Sequence, residues 1–319
     1  MSNTIMILQQ VLIMFLLAGI GCIMYKTGKI SSEGSKSLAN ILLYLCLPCV
    51  IINGFLVEFS RERVIGLLIS TGVALIVLVM SILISRLLCG KNAIDCFAGA
   101  FSNPGFFGVP LILATLSDSA VFYIAAFIAF LNLMQWIYGV SLLENSDENG
   151  ILLKDNKSDR LQIGELLKKL GKAPFTIAII IGLLFFLTRI QMPEIIGKCI
   201  GFIANMNTPL AMFTIGIYLA QTDIMKMIRK VSLYRVSMIR LVVIPIVTLL
   251  LLWFVPNNLM EMKTAILIAS ACPVGSNVAV YAQLHGRNYP YAVETVVIST
   301  IISIITIPVV ISIAGMIWN

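Results

Sequence analysis

The sequence predicts an all-α polytopic membrane protein, and three observations carry that prediction: how little charge the chain holds, where the charge is missing, and which loops hold the cations. Of 319 residues, 59% are apolar and 12% are charged, and the mean hydropathy is +1.01. A soluble domain holds about 25% charged residues. So few surface charges exclude a soluble enzyme, a nucleic-acid binder and a disulfide-stapled secreted domain.

Ten stretches contain no Asp, Glu, Lys or Arg: 5–25, 37–57, 64–85, 96–117, 119–143, 173–188, 199–222, 241–260, 264–286 and 295–319. A membrane-crossing helix takes about 20 predominantly apolar residues. Nine stretches meet that length, and 173–188 does so by extending toward Arg189. In lipid every backbone N–H and C=O must be bonded within its own segment, and these runs are too long for barrel strands. Ten transmembrane helices are therefore predicted.

The net charge of +7 is informative through its distribution. Loops after the odd-numbered spans hold sixteen of the 22 Lys and Arg residues, the opposite loops hold five, and Arg240 lies inside the eighth span. The positive-inside rule then places 144–172 in the cytoplasm and both termini outside, in a multi-pass protein of the cell membrane. The run from Ile5 fails the signal-peptide test, because no cation precedes it and its apolar stretch is too long. Cys22 falls two positions too late for a lipoprotein cleavage site, so this run reads as a retained first span.

The insert 144–172, with 12 of 29 residues charged, divides the chain into 1–143 and 173–319, each with five spans. Because five is odd, the second half enters from the opposite side, so an internal repeat is an inverted one. Leu47-Pro48-Cys49 in span two answers Thr208-Pro209-Leu210 in span seven, and Pro104 in span four answers Pro273 in span nine. Within the insert, 161–170 reads as an amphipathic surface helix. Gly171-Lys172-Ala173 lacks the spacing and the final Ser or Thr of a phosphate-binding loop, which leaves ATP-driven pumping unsupported.

The strongest local signal is Asn103-Pro104-Gly105-Phe106-Phe107-Gly108-Val109-Pro110, in the middle of a charge-free span. Proline lacks a donor and clashes with the carbonyl four residues back, so Pro104 frees the carbonyl of Ala100 and Pro110 that of Phe106. Span nine repeats the pattern with Pro273-Val274-Gly275-Ser276-Asn277: Pro273 frees the carbonyl of Ala269, and Ser276 or Asn277 stands where a helix cap belongs. Orphan backbone groups at membrane depth are tolerated where they line a cavity, and paired breaks in inverted halves point to a midplane binding site. Half-helix N-termini there favour a carboxylate. The candidate substrate-binding residues are Asn103, Pro104, Gly105, Gly108, Pro110, Pro273, Gly275, Ser276 and Asn277.

Other features read more plainly. Pro48, Pro209, Pro245 and Pro308 are packing kinks. The cysteines are packing residues; Cys46-x-x-Cys49 contains Pro48 and has no second pair, so no metal site is expected. His285 is a boundary histidine. Arg240, some eight residues into span eight, is expected to snorkel to the cytoplasmic interface rather than meet an anion. Asn132, Gln135, Asn205, Asn207 and Thr208 either line the path or bond between helices. Asp95, Asp118, Asp223 and Glu294 fall near span ends, and without a buried cluster of His, Asp or Glu an enzyme is not expected.

Taken together, these motifs resemble the auxin efflux carrier family, in its prokaryotic branch related to the plant PIN carriers. The matching pieces are Asn103 with Gly108-Val109-Pro110-Leu111, Ala173-Pro174 followed by Gly182, and Cys272-Pro273-x-Gly275 with Tyr281-Ala282. The resemblance implies a scaffold of spans one, two, six and seven and a transport domain of spans three to five and eight to ten. It also implies broken fourth and ninth helices that cross at their prolines, elevator-type alternating access, small organic anions as cargo, and Asn103 on the substrate carboxylate. A homodimer joined through the scaffold helices, surrounded by lipid and without nucleic acid, is expected with it. The plant carriers' long loop is reduced here to 29 residues, so its regulation is not carried over. Ser276-Asn277 makes the pocket more polar than an auxin-like carboxylate needs, so malate or malonate is preferred. A ligand sensor on the same fold is the alternative, disfavoured because no output domain is present. No cofactor is expected; sodium on the freed carbonyls, protons with the substrate, or uniport are the possible coupling modes.

Overall fold

A computed structural model describes residues 3–117, 119–153 and 174–318. The surface helix expected over 161–170, and Asp118, lie outside the described residues. Regular structure among those described is helical apart from three isolated bridges. In order the helices are α1 (Asn3–Lys26), α2 (Ser32–Phe55), α3 (Arg61–Cys89), α4 (Ala93–Ala100), α5 (Pro104–Thr115), α6 (Ala120–Glu144), α7 (Pro174–Thr188), α8 (Glu194–Ala220), α9 (Val231–Leu252), α10 (Met260–Ala271), α11 (Asn277–Leu284) and α12 (Tyr289–Trp318). A single turn at Ile224–Met227 precedes α9.

Among the described residues, seven helices are long and apolar enough to cross a membrane: α1, α2, α3, α6, α8, α9 and α12. Two more, α5 and α7, are apolar but shorter. The sequence expectation of ten counted the runs around Pro104 and Pro273 as single spans, whereas the helix stops at Ala100 and again at Ala271. The chain is thus a polytopic, all-helical membrane protein.

Four helices contain one widened turn, at Leu42–Cys46, Pro104–Gly108, Gln135–Gly139 and Ile239–Val243. In three of them a proline follows two residues after the turn: Pro48, Pro110 and Pro245. Proline cannot donate to the carbonyl four residues back and its ring clashes there; a widened turn supplies room at that point. This corrects the expectation at Pro110. The helix runs on through it to Thr115, and the interruption lies upstream at Phe101–Asn103.

Small residues set the closest helix contacts. A Cβ on Gly216 would stand 1.9 Å from the Ala18 carbonyl oxygen, and one on Gly21 would stand 2.5 Å from that of Phe213, so α1 and the C-terminal half of α8 touch backbone to backbone. Gly182 of α7 instead leaves room for a side chain, the Phe55 ring of α2. Elsewhere α3 packs on α4 and α6, and α12 packs on α9 and α11.

Contacts between connections fall into two groups. At one end, Ala93 donates to Gly150 O at 2.7 Å and Arg287 Nε to Leu143 O at 2.7 Å. There too, Asp95 accepts from Arg235 at 2.7 Å and from Tyr291 at 2.6 Å, while Lys230 pairs with Glu294. At the other end, Glu261 accepts from Ser117 and Ser119, Asn257 donates to Trp318 O, and Arg189 stacks over Phe59.

Candidate functional site

The site is built from the two places where helices stop. Asn92 caps α4 by accepting from Asp95 N at 3.0 Å, and α4 ends at Ala100 because the chain must be extended ahead of Pro104. Phe101 is extended (φ −114°, ψ 119°), and α5 then begins on Pro104, a position where a missing N–H costs nothing. Asn103 caps that start, its Oδ1 accepting from Phe106 N at 3.3 Å. In the second half α10 ends at Ala271, Cys272 is extended ahead of Pro273 (φ −59°, ψ 151°), and α11 begins at Asn277. Ser276 occupies the cap position of α11, but its side chain makes no capping bond, contrary to the sequence expectation.

These two extended segments cross and pair. Ser102 and Val274 form an antiparallel bridge, Asn103 N donates to Pro273 O at 2.9 Å, and Gly275 N donates to Phe101 O at 3.0 Å. Ser299 of α12, which sequence reading missed, accepts from Val274 N at 3.0 Å. Gly275 has no room for a side chain: a Cβ would lie 2.8 Å from Ser102 O.

A small cavity of about 40 Å³ sits at the crossing. Asn103, Pro104, Gly105, Gly275, Ser276 and Asn277 line it, with Asn132, Leu43 and Leu47 opposite. Gly108, Pro110 and Pro273 do not line it. Gly108 instead lies against the Cys272 thiol, and Pro273 contributes its carbonyl to Asn103. Asn103 is 6% exposed and its Nδ2 has no partner. Asn277 Nδ2 donates to Gln135 Oε1 at 2.8 Å, which leaves the buried Gln135 Nε2 without a partner. Buried donors are nearly always bonded, and an orphan costs roughly 1–3 kcal/mol. Asn103 Nδ2 therefore stands uncommitted in the cavity lining at the start of α5, while Gln135, which does not line the cavity, lies behind Asn277 at the start of α11; the arrangement suits an anionic oxygen.

Arg240 departs from expectation. It does not snorkel: it is 1% exposed, and Nη1 donates to Ala100 O at 2.9 Å and to Gly99 O at 3.4 Å, while Nη2 donates to Ser270 O. The guanidinium thus joins the carbonyl ends of α4 and α10. Its signal in the sequence was a lone cation inside an apolar run; the carbonyls it meets are distant in the chain. His285 lies 3.8 Å from Glu144 at the surface, and six of the seven cysteines are buried or half-buried while Cys199 is exposed.

Residues 6–311 match the family model described as "Membrane transport protein". The chain is also 23% identical over 282 residues to a Rhizobium meliloti (strain 1021) protein named "Putative malonate transporter", a match spanning 86% of this chain and 85% of that one. With nearly its whole length matched, the chain belongs to the membrane transport protein family, the auxin efflux carriers.

Proposed function

We propose that this transporter is a secondary carrier for a small organic anion, with a malonate-like dicarboxylate preferred. The observation that carries the reading is the uncommitted buried amide Asn103 Nδ2 in the lining of the cavity where the two interrupted helices cross. The name of the Rhizobium meliloti relative supports the dicarboxylate. Substrate contact falls on Asn103, Pro104, Gly105, Gly275, Ser276 and Asn277; Gly108 and Pro273 shape the crossing, and Pro110 lies beyond it in the continuous part of α5. Polar side chains of this kind hold a ligand and lack the clustered acids and bases of an enzyme, so catalysis is not proposed.

The carrier crosses the membrane ten times in two inverted halves, 1–143 and 173–319, joined by the cytoplasmic loop 144–172. Counting α4 with α5 and α10 with α11 as interrupted spans gives ten crossings. Packing supports the inversion: α1 on the C-terminal half of α8 has its exchanged counterpart in α7 on the C-terminal half of α2. The connections that gather at one end, around 90–93, 143–152, 229–235 and 285–294, belong to the cation-rich set, which supports a cytoplasmic end there and termini outside, in the cell membrane.

The cavity has room for about one water, so an organic anion enters only when Leu43 and Leu47 of α2 draw away from the crossing. That requirement supports elevator-type alternating access, with α3–α6 and α9–α12 moving against a scaffold of α1, α2, α7 and α8, the scaffold also forming a homodimer. Counterflow of labelled malonate in proteoliposomes, with and without sodium and pH gradients, tests the reading and its coupling. Saturable exchange supports it; the absence of exchange with malonate, malate or an auxin-like acid rejects it.

A further inference from the structure

Arg240 heads the largest side chains fully enclosed in the fold, yet no ion pair among the described residues involves it. The neighbouring cations are differently placed. Arg235 pairs with Asp95, Lys230 pairs with Glu294, and Lys263, also buried, meets Asn257 and the Trp318 ring at the far end of α10. Arg240 therefore places a positive charge without an ion pair directly beside the crossing, whereas Lys263, likewise without an ion pair among the described residues, sits at the far end of α10. An unpaired buried ion is costly unless dipoles face it. Here the last-turn carbonyls of α4 and α10 do so, with the partial negative charge of two helix C-termini. Guanidinium stays charged at any working pH, so this charge is permanent.

We propose that Arg240 is the fixed counter-charge of the carried anion. At the crossing it offsets one negative charge of the bound anion, and it occupies the freed carbonyls on which a co-transported cation would otherwise sit. The proposal rests on the transport reading above. The link 101–103 joins the α4 carbonyl end to the start of α5, a distance of about 10 Å for three extended residues. At ~10 Å and an effective dielectric of ~20, the attraction changes affinity by about 15-fold per charge on the anion.

The test compares malonate, with two charges near neutral pH, and malonamate, with one charge and nearly the same size. Calorimetric affinities are measured for wild type, Arg240→Lys and Arg240→Met, each checked for monodispersity and melting temperature. Arg240→Met is expected to lose about 15-fold for malonamate and roughly 200-fold for malonate, and Arg240→Lys to recover most of both. Equal losses for the two anions overturn the proposal, because a merely structural role does not count charge. A second measurement needs only the wild-type carrier. Under a potassium–valinomycin potential, malonate exchange is expected to respond more steeply than malonamate exchange, by the one further charge it carries. Equal voltage dependence for both overturns the proposal even where Arg240→Met fails to fold. If wild type binds neither anion, the transport reading itself fails, and the counter-charge with it.

Discussion

Asn103 donates its backbone N–H to the carbonyl of Pro273 at 2.9 Å, and that bond ties the interruption in one half of the chain to the interruption in the other. Gly275 returns the link by donating to Phe101. Two extended segments that would each leave backbone groups orphaned in lipid thus satisfy one another.

Gly275→Ala is expected to break this arrangement, because the added methyl group lies 2.8 Å from Ser102 O, a backbone atom that cannot step aside. Overpacking of this kind costs about 1–3 kcal/mol. Thermal unfolding in detergent should fall by several degrees, with exchange activity falling further; an unchanged melting temperature would mean that the segments do not cross this closely.

Asn103→Ala is expected to weaken anion binding by about 10- to 150-fold, the range for a hydrogen bond to a charged group worth roughly 1.5–3 kcal/mol. Asn205→Ala is the control, since Asn205 is exposed. The α5 cap is also lost, so melting temperature is followed alongside calorimetric affinity. Wild-type affinity in the Asn103 variant would move the site elsewhere.

Pro110→Ala is expected to keep transport close to the wild-type rate. The widened turn Pro104–Gly108 already accommodates the ring, and the helix is continuous through Pro110. Pro308→Ala, inside α12, should behave alike. A transport-dead Pro110→Ala that expresses normally would restore the break to the place where the prolines alone put it.

The α1–α8 contact is tested by Gly216→Val, whose side chain would enter the Ala18 backbone. Loss of folded protein or a large drop in melting temperature is expected. Gly19→Ala, with nothing within 4 Å of the new methyl, should be neutral or slightly stabilising. Similar outcomes for both would reject the close contact.

Much of the fold was legible because lipid allows few solutions: charge-free runs long enough to span must be helices. The stops at Ala100 and Ala271 were legible too, since Asn103-Pro104-Gly105 and Cys272-Pro273 disfavour helix by local sterics alone. What failed was register. Pro110 looked like a second break because a widened turn upstream is a choice of hydrogen-bond pattern, with no residue type to announce it. Arg240 was misread for a different reason. Snorkelling is decided by where a side chain's partners lie, and Gly99, Ala100 and Ser270 come to it only through tertiary packing. Ser299 was invisible on the same grounds: a serine in an apolar helix bonds its own backbone by default, and here it also accepts from Val274.

Each widened turn is, in terms of helical phase, one residue too many. An α-helix advances about 100° per residue, so a single extra residue turns everything downstream to a new azimuth. Along α2 the residues after Leu42–Cys46, Leu47 among them, face the crossing with a phase set by the turn and not by the helix that begins at Ser32. The same holds for Val109–Thr115 after Pro104–Gly108 and for Ile244–Leu252 after Ile239–Val243. Deleting one residue within such a turn would leave composition, hydropathy and helix count almost untouched while rotating the wrong wall toward the crossing.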